Sequence, residues 1–365
     1  MRVNLATDDD RHLMTDGDTQ ANIQERTAAI LGRRRLAGPA VLLGGLLLLV
    51  AAAVVSLCAG ASHLSLGTVW HVVMAGRQDT MAGQIVLGLR LPRTLCAVLV
   101  GAAFAVAGAM MQGLTRNPLA DSGLLGLNAG AGFVLALCFA LFRGLPYVYL
   151  ALFSFLGAAA AAGLVYGIGS LSKAGLTPVR LTLAGAAIGA LFTALSQAIA
   201  IRFEVGQDLA FWSAGGISGA TWLQVKLLLP WVCGALVAAL FLARSITVLS
   251  LGDELAVSLG QRTRWVKLGA ALTVLVLAGS SVSVVGSISF VGLIVPHVVR
   301  FLVGVDYRWV IACSAVFGSL LVLVADIAAR LVNPPYETPV GALIALIGVP
   351  FFLFLARRRV GRLAE

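Results

Sequence analysis

The stretch from Leu89 to Leu125 reads LRLPRTLCAVLVGAAFAVAGAMMQGLTRNPLADSGLL. An Arg-Leu-Pro-Arg clamp, Arg90 to Arg93, stands at its head, and Asn117-Pro118-Leu119-Ala120 closes it. Between them lies an uncharged run of small and aliphatic residues. An uncharged run that long matches the hydrocarbon thickness of a bilayer, and its Ala and Gly content suits close helix contacts inside one.

The rest of the chain agrees. Hydrophobic residues make up 59% of the 365 and charged residues 12%, with a mean hydropathy of +0.97; soluble domains carry about 25% charged residues. Such a chain lacks the polar surface to cover a soluble globule of its size. The first apolar run, Leu36 to Cys58, carries no charge. At about 1.5 Å rise per residue it is roughly 35 Å long, enough to cross with some tilt. The class is an all-α polytopic membrane protein. Breaks at charges, prolines and glycine clusters divide it into about ten transmembrane helices: 36–58, 94–113, 124–142, 147–170, 181–201, 226–243, 265–285, 289–303, 308–329 and 340–356. The eighth is short and contains Pro296, so it is expected to be tilted or broken.

Residues 1–35 are polar, contain Asp8 to Asp10 and end in Arg33 to Arg35. They fit a disordered cytoplasmic leader better than a secretory signal. A permease domain over 36–358 and a cytoplasmic tail over 359–365 complete the organisation. Of 26 lysines and arginines, only Arg77, Arg90, Arg93, Arg143, Arg202, Lys226 and Arg330 fall on the outer side if the N-terminus is inside. That bias places both termini in the cytoplasm, in a multi-pass protein of the cell membrane. It also explains the net charge of +10 without a nucleic-acid partner. The five cysteines sit far apart in apolar runs and read as small hydrophobes, not as a metal site or disulfide framework. Patterns such as Gly101-Ala-Ala and Gly157-Ala-Ala-Ala predict close helix packing.

No phosphate-binding GxxxxGK[ST] loop occurs, so the chain cannot cradle ATP that way. Asp326, the clearest intramembrane ionisable group, stands four residues before Arg330, which predicts an intrahelical pair instead of proton coupling. Energy is therefore expected from a partner. Its dock is expected on the loop after span six, where Asp253 and Glu254 open a short helix, Gly260 ends it, and Leu255, Val257 and Leu259 are apolar. A helix lying on the bilayer surface is the alternative. In Phe211 to Trp222, two tryptophans flank a Gly/Ser-rich bend and fit interface anchors or a pore mouth. His297, next to Pro296, is read as a partner for freed backbone groups ahead of an iron or haem ligand.

Five motifs in order resemble the FecCD-type permeases of ABC importers for iron-siderophores, haem and vitamin B12. They are RLPRTL (Arg90–Leu95), GAMMQGLTRNPLADSGLLG (Gly108–Gly126), LGDELAVSLG (Leu251–Gly260), GSISFVGLIVPHVVRFLVGVDYRW (Gly286–Trp309) and LVADIAARL (Leu323–Leu331). The resemblance implies ten spans in the type II ABC importer permease fold. It implies ATPase coupling through Leu251, Gly252, Asp253, Glu254, Leu255, Ala256, Leu259 and Gly260. It further implies binding-protein docking at Arg90, Arg93 and Arg330, and a cytoplasmic gate at Asn117 and Leu119. A second gate position falls near Thr177, Pro178 and Val179, where some relatives carry small hydroxyl residues.

The implied partners are a cytoplasmic ATPase dimer that binds ATP and Mg, an extracytoplasmic solute-binding protein, a second permease subunit of the same or a related kind, and membrane lipid. No catalytic residue, metal ligand or cofactor is implied in this chain. The implied cargo is a ferric siderophore, with haem and cobalamin as rivals. An ion-coupled secondary transporter and an intramembrane enzyme are the readings from other classes.

Overall fold

The computed structural model describes residues 38–60, 64–76, 78–170, 178–214, 216–333 and 336–363; the leader lies outside them. Among the described residues there is no strand. Helices cover all ten apolar runs: Gly38–Cys58, Leu91–Thr115, Leu127–Leu141, Tyr147–Ser170, Pro178–Arg202, Trp222–Ser250, Thr263–Val285, Val291–Val303, Tyr307–Leu331 and Val340–Leu363. The last runs on into the expected tail.

The opening motif forms the axis of the bundle. Almost every side chain from Pro92 to Thr115 is buried, and the helix is packed by 307–331, 222–250, 263–285 and 291–303. The Gly38–Cys58 helix is as uncharged but buries little of itself, resting on the 307–331 helix through Gly38 on Trp309 and Gly45 on Phe317. Composition separates the two. Lipid is as apolar as leucine, so burial in a membrane favours the helix whose small residues let neighbours approach. The small-residue patterns act as expected at both named places. A Cβ added at Gly101 would stand 2.3 Å from the Gly318 carbonyl oxygen, and one at Gly157 2.4 Å from that of Gly130. The tightest crossing is Gly108 on Gly292, where it would lie 2.0 Å from the carbonyl oxygen.

Two prolines leave a helix carbonyl without its N–H donor, and at each a remote side chain repairs the backbone. The second span does not start at residue 94. Its helix begins at Met81 and passes through a wide π-turn, Gln84–Arg90, before Leu91–Thr115. In that turn the Leu91 amide reaches back to Val86, so the Leu87 carbonyl would next pair with Pro92, which has no N–H. The Trp222 indole donates to Leu87 instead, at 2.9 Å. The eighth span is short, as expected, but unbroken. Pro296 cannot donate to the Gly292 carbonyl, and Gln112 Nε2 supplies that bond at 3.0 Å. His297 stacks edge-on against Phe351 and has no part in this repair. The connection between the first two spans contains a helix, Leu66–Ala75, capped by the Ser65 hydroxyl and Gly76, with Val69 packed near Val86 and Leu87.

Candidate functional site

Three regions carry the chemistry. On one face the 222–250 helix ends, and Gly252 turns the chain at φ 137°, a value a β-carbon would strain. The Asp253–Ser258 helix follows, and Gly260 ends it at φ 78°. Gln261 Nε2 donates to the Ser245 carbonyl at 2.9 Å and closes the loop onto the preceding helix. Ala256 is fully buried, whereas Leu251, Leu255, Val257 and Leu259 are exposed, Leu259 to 64%. Glu254 is exposed as well. Asp253 turns the other way. Its Oδ2 accepts from Lys267 Nζ at 2.9 Å and from Arg116 Nη2 at 3.3 Å. On the same face Asp306 caps the 307–331 helix, and its hydrogen bonds from Arg308 hold its carboxyl below the usual range.

Arg116 itself sits in the left-handed region, φ 52°, at the end of the axial helix. The next residues form an Asx turn, in which Asn117 Oδ1 accepts from the Leu119 amide at 3.1 Å. Asn117 and Leu119 are half-buried and share this one turn. Val179 is exposed, to 68%, on the first turn of a separate helix. Thr177 and the Pro178 side chain lie outside the described residues.

On the opposite face the arginines expected to await an acidic partner are buried and already held. Arg90 donates to the Leu57 and Cys58 carbonyls, both at 2.8 Å, and so caps the Gly38–Cys58 helix. Arg93 grips Asp326 through Nε and Nη2, both 2.9 Å from Oδ1, and reaches Glu337 at 2.6 Å with Nη1. Arg330 pairs with Asp326 one helical turn away and donates to the Ser56 carbonyl and hydroxyl, both at 3.1 Å. The expected Asp326–Arg330 pair is therefore present, with Arg93 as an unforeseen third member. Physically, a fully buried carboxylate has to be compensated, and its compensators are the nearest guanidiniums. Glu337 alone is well exposed, its side chain to 42%.

The third region is a cleft of about 610 Å³ between the 127–141, 178–202 and 206–213 helices. Its polar lining includes Asn128, Thr182, Thr193, Ser196, Gln197 and Trp212, and among the described residues no charged side chain lines it. Small residues such as Gly185 and Gly189 form much of the wall. Sequence reading singled out the Phe211 to Trp222 stretch as a pore mouth or interface, and none of the 178–202 lining. The signal was the spacing 182, 185, 186, 189, 190, 193, 196, 197, a small and polar stripe along one face of the 178–202 helix.

The profile of the FecCD transport family matches residues 47–358. The chain belongs to the FecCD transport family. The iron(3+)-hydroxamate import system permease protein FhuB of Bacillus subtilis (strain 168) is 55% identical over 318 residues, 87% of this chain and 83% of the relative. The hemin transport system permease protein HmuU of Yersinia pestis is 39% identical, over 88% of this chain and 96% of its own. A solved metal-chelate type ABC transporter in an inward-facing conformation superposes with a TM-score of 0.78 at 29% identity, covering 88% of this chain and 99% of that one.

The bundle is thus the type II ABC importer permease fold, and the relatives named above are permease proteins of iron(3+)-hydroxamate and hemin transport systems. In this FecCD chain Trp222 anchors the π-turn while Trp212 faces the cleft, so the two tryptophans do different jobs. All five cysteines are free thiols; Cys96, Cys138 and Cys313 are buried, Cys58 is partly so and Cys233 is exposed.

Proposed function

We propose that this chain is the permease subunit of an ATP-driven importer for a ferric siderophore of the hydroxamate type, working by alternating access. The observation that carries the cargo is the uncharged cleft. Three monoanionic hydroxamates neutralise iron(3+), so the chelate is neutral and presents carbonyl and N–O oxygens. Hydroxyl and amide groups can exchange hydrogen bonds with such a ligand without the cost of facing a net charge in a poorly solvated passage. Haem brings propionate charges that find no cation in this lining. The 55% identity to a hydroxamate permease, against 39% to a hemin permease, supports the same choice. Cobalamin remains the rival cargo.

In this reading the exposed apolar helix with Glu254 receives a cytoplasmic ATPase, which binds ATP and Mg, and the Asn117–Leu119 turn with the 178–179 position forms the inner gate. A second permease, either another copy or a related chain, completes the conduit. A solute-binding protein lands on the outer rim that Arg90, Arg93 and Arg330 support. The positive-inside bias puts both termini in the cytoplasm. An ion-coupled mechanism gains nothing from Asp326, which is bound by two arginines. Proteoliposomes holding the complete transporter test the cargo. Neutral ferric hydroxamates should be taken up on ATP addition, and haem should not. Uptake of haem in preference would overturn the reading.

A further inference from the structure

The acidic residue at the head of the coupling segment faces its own chain. Asp253 Oδ2 lies between Arg116, the last residue before the gate turn, and Lys267, on the first turns of the 263–285 helix. From Arg116 the chain passes directly into Asn117, whose side chain is closed on the Leu119 amide. One carboxylate therefore joins three elements: the short exposed helix, the end of the axial helix with the gate turn, and the start of the following span. The exposed face, formed by Leu251, Leu255, Val257, Leu259 and Glu254, is left clear of this tie.

We infer that Asp253 is a positioning residue that ties the coupling helix to the gate through Arg116, with Lys267 holding the same oxygen as a pivot. This rests on the importer reading above. Displacement of the 253–258 helix then has to carry Arg116, and with it the Asn117–Leu119 turn, or break the pair. Asp253 acts inside this chain, and ATPase contact is left to its exposed neighbours. Both pairs are partly exposed, and such pairs contribute little to folding. Their loss should therefore appear in coupling, not in stability.

The test uses the complete reconstituted transporter with its ATPase and binding protein, and reads chelate delivered per ATP hydrolysed. Asp253→Asn should lower that ratio at least about five-fold, the lower end of ordinary coupling between sites, while the ATPase co-purifies as in wild type. Asp253→Glu should restore it to within about two-fold. An Asp253→Asn ratio within about two-fold of wild type would overturn the inference. So would loss of the ATPase from that variant, which would make Asp253 a docking contact. Failure of the wild-type complex to couple at all would instead count against the importer reading.

Discussion

Asp326→Asn removes one charge from the most enclosed ionic cluster in the bundle. The Asp326 side chain is fully buried and serves two guanidiniums, Arg93 at 2.9 Å and Arg330 one turn along the same helix. Both arginine side chains are at least nine-tenths buried, so neither can turn to water when the carboxylate is neutralised. Breaking a buried pair from one side costs about 3–5 kcal/mol, because the remaining charge stays uncompensated. Here two guanidiniums lose that carboxylate, and Arg93 keeps only Glu337 among the described residues. Glu337→Gln is the control. It touches the same Arg93, at 2.6 Å, but from a position nearly half exposed, and exposed pairs contribute about 0–1 kcal/mol. Thermal unfolding of the purified protein in detergent should show a midpoint drop on the order of 5 °C for Asp326→Asn and little change for Glu337→Gln. Equal midpoints for Asp326→Asn and wild type would refute the claim that these arginines are structural. A larger drop for Glu337→Gln would do the same.

Gln112→Leu should cost about 1–3 kcal/mol in the same unfolding assay, because the carbonyl freed by Pro296 loses its donor and Arg300 loses its acceptor; a neutral result would mean another group repairs Gly292. Gly108→Val should abolish well-folded protein on size-exclusion chromatography, since backbone lies 2.0 Å from the new Cβ, whereas Gly163→Ala, with nothing within 4 Å, should behave as wild type. Leu255→Asp with Leu259→Asp should leave the unfolding midpoint in place but weaken ATPase co-purification by roughly tenfold, a loss of about 1.4 kcal/mol of docking; unchanged co-purification would move the dock elsewhere.

What sequence could and could not disclose follows from the range of the forces involved. Helices over all ten apolar runs were legible because length and hydropathy are local properties, and seven of those described are long and apolar enough to cross a bilayer. The short helix after span six was legible too, since Asp253, Leu255, Leu259 and Gly260 write an amphipathic turn closed by a glycine within ten residues. The start of the second span was misplaced because the hydrogen bond that satisfies the Leu87 carbonyl in the π-turn comes from the Trp222 indole, 135 residues away. The outer arginines looked free for a similar reason. Arg93 and Asp326 are separated by 233 positions, and nothing in RLPRTL says that a distant carboxylate will occupy the guanidinium. His297 was the nearest polar side chain to Pro296 in sequence, but Gln112, which crosses at the glycine contact, reaches the freed carbonyl. The cleft stripe on the 178–202 helix was present as a spacing pattern, though small residues in a membrane helix usually mark packing, and packing concealed it.

The central claim is that these helices form a gated passage whose energy comes from a separate nucleotide-hydrolysing subunit. The direct measurement is uphill accumulation of a ferric hydroxamate in proteoliposomes containing this permease, with and without its ATPase. Accumulation should require both the ATPase and ATP, and should persist when ion gradients are collapsed. Concentrative uptake by the permease alone, or uptake abolished by an ionophore while ATP is plentiful, would contradict the account.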